Sequence, residues 1–254
     1  MDATTARVLT GPAASTSSQF WWAHARIPLI LLMVVGLAAN LSALDESIAR
    51  ALFFDASDQQ WIGAHNWWTT SFLHDGGRWL IRILVFVVFL FWTATFARSD
   101  WREWRWQSGY FTVAMVLAIG LVGLLKTLTN VDCPWDLQEF GGRFPYVHVF
   151  ANRPDALPHA QCFPAAHSSS GYALMALYFV AYEYSKRLAR LGLAVGLFMG
   201  LLFGIAQQSR GAHFFSHDVW SACITWLVSL SLYTFAFKRR IWRRPVDTAP
   251  VSSA

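Results

Sequence analysis

Charge is what this chain of 254 residues has least of: 14% of them are Asp, Glu, Lys or Arg, where a soluble domain carries roughly 25%. That scarcity excludes a charge-rich disordered chain and a charged coiled coil. Glycine and proline number only 16 and 9, far from the composition of a collagen-like fibre. What fills the chain instead is 55% hydrophobic residues, 16% aromatic residues and 14 tryptophans, with a mean hydropathy of +0.36. An ordinary water-soluble globule does not fit these figures. A polytopic membrane protein does, provided that the apolar residues come in runs of spanning length.

A membrane helix needs about 20 mostly apolar residues, with a range of roughly 17–25. Residues 27–44, 83–97, 106–125, 168–182, 191–209 and 219–237 are free of charge. The second run reaches spanning length with Arg82 snorkelling to the interface, and the fourth relies on its flanks in the same way. The expected fold class is all-α, a bundle of six transmembrane helices.

Lys and Arg placement orients the spans. One set of ends carries Arg7 and Arg26, then Arg98, Arg102 and Arg105, then Lys186, Arg187 and Arg190, then the cluster from Lys238 to Arg244. Both termini are therefore expected in the cytoplasm. The net charge of +5 reads as a topology signal and an attraction to anionic lipid, with no nucleic-acid partner. The expected organisation is a disordered cytoplasmic start at 1–25, a membrane domain at 26–238 and a basic cytoplasmic tail at 239–254. Two outer loops, about 45–78 and 127–167, carry the rest. The first holds amphipathic, tryptophan-bearing segments suited to the interface. The second is rich in Pro, Gly and charge, and long loops are where function concentrates.

Gly192, Gly196, Gly200 and Gly204 recur every fourth residue along the fifth span. They line one helix face that admits close backbone approach. Packing against a helix of the same bundle is the first reading, and a homo-oligomer seam the second. Cys133 and Cys162 both fall in the second outer loop, on the oxidising side, and are expected to form a disulfide. Cys223 lies within the sixth span as inert packing.

The topology delivers a lysine, an arginine, three histidines and an aspartate to one membrane face: Lys126, Arg210, His167, His213, His217 and Asp218. That set suits phosphoryl transfer. Lys and Arg clamp phosphate oxygens, one neutral His attacks phosphorus, and a second protonates the departing oxygen. Residues 168–170 form a helical N-terminal turn whose free N–H groups favour an anion. No cofactor and no metal is required. His213 and His217 are four apart, but the H-E-x-x-H spacing of a zinc site is missing. His24, His65, His74, His148 and His159 are read as structural.

In these residues the chain resembles the type-2 phosphatidic acid phosphatases, membrane relatives of the bacterial acid phosphatases and vanadium haloperoxidases. Their motifs are K-x6-R-P, P-S-G-H and S-R-x5-H-x3-D, and the resemblance covers roughly residues 80–235. It implies six spans with the active site at the outer face. Lys126 matches the first lysine and Pro134 the proline, while Cys133 stands where the arginine should be. Arg143 and Arg153 are the two candidates to replace that clamp. Pro164 and His167 match the second motif, with Ala165 and Ala166 in place of Ser and Gly, and Ser168 or Ser169 compensates for the lost hydroxyl. In the third, His213 falls on the nucleophile, Gln207 on the arginine and His217 on the aspartate. Arg210 then serves as clamp, and Asp218 is favoured over His217 to orient His213. His167 is the acid for the leaving group.

The resemblance implies an integral membrane phosphatase acting on a lipid phosphate or diphosphate through a phosphohistidine. Its setting would be a bacterial inner membrane with the site facing the periplasm. Substrate classes are polyprenyl diphosphates, phosphatidic acid, phosphatidylglycerol phosphate and phosphorylated lipid A. One alternative passes the phosphate to a second lipid such as lipid A. The other is a non-catalytic lipid-binding or transport protein, against which stands the absence of an internal repeat.

Overall fold

A computed structural model describes residues 17–237. Most of the expected N-terminal segment, with Arg7, and the basic tail with the Lys238–Arg244 cluster lie outside the described residues. Four helices are long and apolar enough to cross a membrane: α1 at Ser18–Leu41, α3 at Trp68–Ala97, α4 at Ser99–Leu128 and α7 at Lys186–Ser209. Between them lie α2 at Leu44–Leu52, α5 at Ala166–Tyr172 and α6 at Ala176–Tyr182, and α8 at Phe215–Leu232 follows the last. A two-residue antiparallel pair, Phe54–Asp55 with Gln60–Trp61, is the sheet among the described residues.

The first helix begins earlier than the hydropathy run, so residues 18–25 are helical. Phe20 is buried, stacked on His24 and tilted against Tyr233. A π-helical turn spans Trp22–Arg26 just before Pro28. Proline lacks the N–H that would bond the carbonyl four residues back. The carbonyl of His24 is instead taken by Trp226 Nε1 of α8 at 2.7 Å. The expected structural role of His24 holds: its ring meets the Phe20 carbonyl (2.8 Å) and the Tyr178 hydroxyl (2.7 Å).

The helix α3 also begins earlier than expected. A π-helical stretch from Trp68 to Gly76 continues directly into it, so the second half of the first outer loop is an extension of the span. This continuity brings His74 and Arg78 to the end of the bundle where α4 and α7 terminate and α8 begins.

The short helices α5 and α6, joined by a 3-10 turn at Ala173–Met175, occupy the centre. Ser168, Ser169, Ala173 and Ala176 are completely buried. So are Ser216, Ser221, Thr225 and Ser229 on α8. A helix surrounded by helices needs small side chains rather than lipid-soluble ones. Its hydroxyls are satisfied locally: Ser169 donates to Ala166, Ser170 to His167 and Thr225 to Ser221. That is why these segments look less like membrane spans than the four outer helices.

The glycine face of α7 packs within the chain. A Cβ on Gly200 would stand 2.1 Å from the Tyr172 ring, and one on Gly196 would stand 2.3 Å from the Met175 nitrogen. On Gly204 it would meet the Asp218 carboxylate at 2.6 Å. All four glycines are buried, so this face is not open to a second copy.

A smaller aromatic cluster closes the bundle end that holds the polar residues. Phe54, Trp61, Leu137, Phe140 and Phe214 are buried together. Trp61 comes from the first loop, Phe140 from the second and Phe214 from the turn between α7 and α8. Cys133 and Cys162 are joined in a disulfide with Cα atoms 5.1 Å apart.

Candidate active site

The turn from Arg210 to Phe214 is held from three sides. Gly211 has φ +74°, a left-handed conformation that glycine adopts without cost. A Cβ there would also strike the Trp61 indole at 2.3 Å. The Gly211 carbonyl accepts from Trp135 N (2.9 Å), and Ser209 O accepts from Gly63 N (2.8 Å). Phe214 sits in the aromatic cluster, 6.1 Å from Phe140. The result is a fixed position for His213, which is buried.

The start of α8 is fixed by the first loop. Asp45 Oδ1 accepts from the Ser216 backbone N–H (2.8 Å), and its Oδ2 accepts from the Ser216 hydroxyl (2.5 Å). This carboxylate caps a helix N-terminus from another element, where both the free N–H groups and the helix dipole favour it. Asn40 adds a second tie, donating to Ser216 Oγ (2.9 Å) while accepting from Trp220 Nε1 (2.8 Å).

His213 Nδ1 lies 3.4 Å from His217 Nδ1. The backbone of Cys162 hydrogen-bonds both rings, and that residue is anchored by the disulfide and by its N–H on Val131 O (2.9 Å). Burial, then His217, then Lys126 hold the His213 imidazole well below its usual pKa. It is therefore neutral at physiological pH. His167 Nε2 is 3.0 Å from the Leu73 carbonyl. A carbonyl only accepts, so Nε2 carries the proton there and Nδ1 is left for chemistry. The His167 ring stacks on Phe203 at 4.6 Å and tilts against His74 at 4.8 Å.

Lys126, His167 and His213 line one cavity of about 690 Å³ together with His74, Arg78 and Gln207. The same cavity continues away from them as an apolar trough, between Ile81, Val85, Phe86 and Phe89 of α3 and Thr112, Val116 and Ile119 of α4. From Lys126 back to Thr112 is about 21 Å of helix at 1.5 Å per residue. Phe86 and Val116 are 59% and 52% exposed, so the trough opens at the side of the helix bundle.

Several sequence-predicted residues lie elsewhere. Arg153 pairs with Asp132 and also donates to Pro158 O. Arg143 is exposed on the second loop and is not among the cavity residues. Neither replaces the missing arginine in the cleft, because the loop's own packing claims one and its path carries off the other. Ser168 and Ser169 are completely buried and donate to the carbonyls of Ala165 (3.1 Å) and Ala166 (2.7 Å). Ser170, expected only as part of the anion-binding turn, is the serine that lines the cleft. Asp218 faces away from His213: its Oδ2 accepts from Gln208 Nε2 at 2.6 Å. His217 and the Cys162 backbone occupy the place expected for it. Arg210 stands behind Gln207, donating from Nη1 to Oε1 (2.9 Å).

Sequence reasoning misses Arg78 and takes His74 as structural, yet both line the cleft. The i, i+4 spacing that sets Arg78 Nη2 at 2.8 Å from His74 Nε2 is the available signal. Nothing local links that pair to residues a hundred positions on. Among the described residues no group of three or more His, Cys, Asp and Glu side chains is placed to hold a metal ion.

A mostly helical protein with four spanning-length apolar helices and a cleft of histidines and cations belongs to the class of phosphatase-type membrane proteins. Residues 107–241 match the PAP2 superfamily. That is more than half of the chain, and the protein belongs to this superfamily, that of the type-2 phosphatidic acid phosphatases. Its members are phosphatases, which makes a phosphoester hydrolase the supported activity. No curated protein and no solved structure matches the chain.

Proposed function

We propose that this protein removes a phosphate from a lipid phosphate or diphosphate at the outer face of a bacterial inner membrane, through a phosphohistidine on His213. The observation that carries this reading is the two-ended cleft. Its polar end holds Lys126, His167 and His213, and its other end is an apolar trough open to the side. A lipid head group fits the first while its tail stays in the second.

In the first step the nitrogen of His213 turned away from His217, Nε2, attacks phosphorus. The bond from phosphorus to the bridging oxygen breaks, and His167, which carries a second proton on Nδ1 once the phosphate anion is bound beside it, gives that proton to the oxygen while Nε2–H stays on the Leu73 carbonyl. Lys126 offsets the charge on the equatorial oxygens, with Arg210 at the second rank behind Gln207. In the second step water attacks the phosphohistidine, His167 takes the water's proton, and orthophosphate leaves as His213 is restored.

The topology that accompanies this reading has six spans in one membrane domain, with α5–α6 and α8 as the two central ones. Both termini are cytoplasmic. Arg98, Arg102, Arg105, Lys186, Arg187 and Arg190 lie at the ends of α3, α4 and α7 remote from the cleft, and positive residues favour the cytoplasmic side.

The test is phosphate release from a panel of lipid phosphates in detergent micelles, wild type beside His213→Ala, with chelator present. Release by the wild type that is lost in the variant supports the reading. Release that survives in the variant removes His213 as nucleophile.

A further inference from the structure

Three close polar contacts run along the cleft wall from one arginine to another. Arg210 Nη1 lies 2.9 Å from Gln207 Oε1, Gln207 Nε2 lies 2.7 Å from His74 Nδ1, and Arg78 Nη2 lies 2.8 Å from His74 Nε2. Each contact needs one donor and one acceptor. Guanidinium groups only donate, the amide offers one acceptor oxygen, and a neutral imidazole offers one acceptor nitrogen. Two acceptors therefore serve three contacts. With the proton on His74 Nε2, that N–H confronts Arg78. With the proton on Nδ1 and the amide flipped, the Gln207 nitrogen confronts Arg210. One contact sets donor against donor in either arrangement.

The surplus donor lines the same cavity as Lys126, His167 and His213. An oxygen with free lone pairs relieves it, and an anionic one suits a wall that also carries two arginines. The family pattern places arginines at positions 133 and 207, where this chain has Cys133 and Gln207. We infer that Arg78, supported by His74, is a phosphate-binding arm reaching in from α3, outside the residues that match the superfamily, and that it takes the place of those two arginines.

With phosphate bound, Arg78 leaves His74 for the phosphate oxygens. His74 keeps Gln207 as donor to Nδ1 and offers its own Nε2–H to a further oxygen, so every contact then has an acceptor. The ring remains against His167, which keeps the arm in register with the leaving-group proton. This assignment rests on the phosphatase reading only for the identity of the site as catalytic. The binding of phosphate is separable from it.

The experiment has a binding arm and a turnover arm, both on the full chain in detergent. In the first, the orthophosphate dependence of the thermal midpoint is recorded for wild type, Arg78→Ala and Arg78→Lys, with chloride as control. Orthophosphate is expected to raise the wild-type midpoint, with an apparent Kd at least tenfold weaker in Arg78→Ala and partly recovered in Arg78→Lys. Arg78 is exposed, so the ligand-free midpoint should not move. An Arg78→Ala protein that binds orthophosphate as the wild type does, or a wild type that does not bind it, overturns the inference.

In the second arm, KM for a soluble aryl phosphate and for a lipid phosphate should both rise tenfold or more in Arg78→Ala, and guanidinium in solution should restore part of the loss. A rise confined to the lipid substrate shows that Arg78 reads the lipid and not the phosphate, and overturns the assignment. A wild type that binds orthophosphate through Arg78 but releases none from either substrate upholds the arm and defeats the phosphatase reading alone.

Discussion

His213 and His217 face each other through their Nδ1 atoms at 3.4 Å, one helical turn apart. The carboxylate of Asp218 points instead at Gln208. A histidine nucleophile is usually steadied by an acid that also stabilises its imidazolium. Here the neighbours of His213 are a second imidazole and the backbone of Cys162. On the proposed mechanism, His213 is oriented by a covalently tethered peptide rather than by a charge.

The first consequence concerns Asp218. Where an acid directly orients a catalytic imidazole, its change to Asn costs about 10⁴-fold in kcat. Asp218→Asn is expected to cost less than about tenfold, because its partner is Gln208. Steady-state phosphate release decides this, and a loss near the triad value restores Asp218 to the orienting role.

The two histidines in the cleft should differ from each other. His213→Ala should lower kcat by at least about a thousandfold, as removal of a covalent nucleophile does. His167→Gln should cost about 10²–10⁴-fold, the range for a general acid. The loss at His167 should shrink for substrates with a good leaving group, such as an aryl phosphate, while the loss at His213 should not.

The disulfide should matter twice. Closing a loop across a sequence separation of 29 contributes about 3–4 kcal/mol in the chain-entropy treatment. The double change Cys133→Ala, Cys162→Ala should lower the thermal midpoint in detergent. Because Cys162 also hydrogen-bonds His213, kcat should fall at temperatures where the variant is still folded. A stable variant with full kcat separates the bond from the site.

Burial and its neighbours lower the His213 pKa from 6.5. In the folded protein the ring resists protonation, while in the unfolded chain it takes a proton near pH 6.5. The unfolded state then binds more protons, so stability falls as pH drops below 6.5 and is unaffected by this group above it. Thermal midpoints measured from pH 8 to 5 should decline less steeply in His213→Gln than in the wild type. The acidic limb of kcat/KM should correspondingly lie below 6.5.

Gly200→Val should be among the most damaging single changes outside the cleft. Its Cβ alone would enter the Tyr172 ring at 2.1 Å, and overpacking of this kind costs about 1–3 kcal/mol or more. The thermal midpoint should drop, with no change in oligomeric state. Loss of a dimer without loss of monomer stability would reverse the assignment of the glycine face.

Much of this architecture is legible in the amino-acid sequence. Hydropathy runs locate α3, α4 and α7, because a lipid-facing helix must carry its apolar character on its own side chains. The four-residue glycine spacing marks a close helix contact, since only a missing Cβ allows it. The pairing of Cys133 with Cys162 follows from their shared loop. Lys126, His167 and His213 can be picked out because each ends or begins an apolar run, and antiparallel spans return such positions to one level.

The tertiary structure decided the rest, for reasons that no local pattern carries. Whether a buried serine serves a ligand or its own helix depends on which carbonyl lies in reach, and Ser168 and Ser169 found theirs three residues back. Whether Arg153 is free depends on Asp132, and whether Asp218 reaches His213 depends on Gln208 being nearer. His74 and Arg78 entered the cleft because α3 runs unbroken from Trp68, bringing them beside Gln207. The sequence determined a helical membrane protein with histidines and cations at one end. Only packing decided which donors meet which acceptors there, because a hydrogen bond is settled by distances of an ångström between residues far apart in the chain.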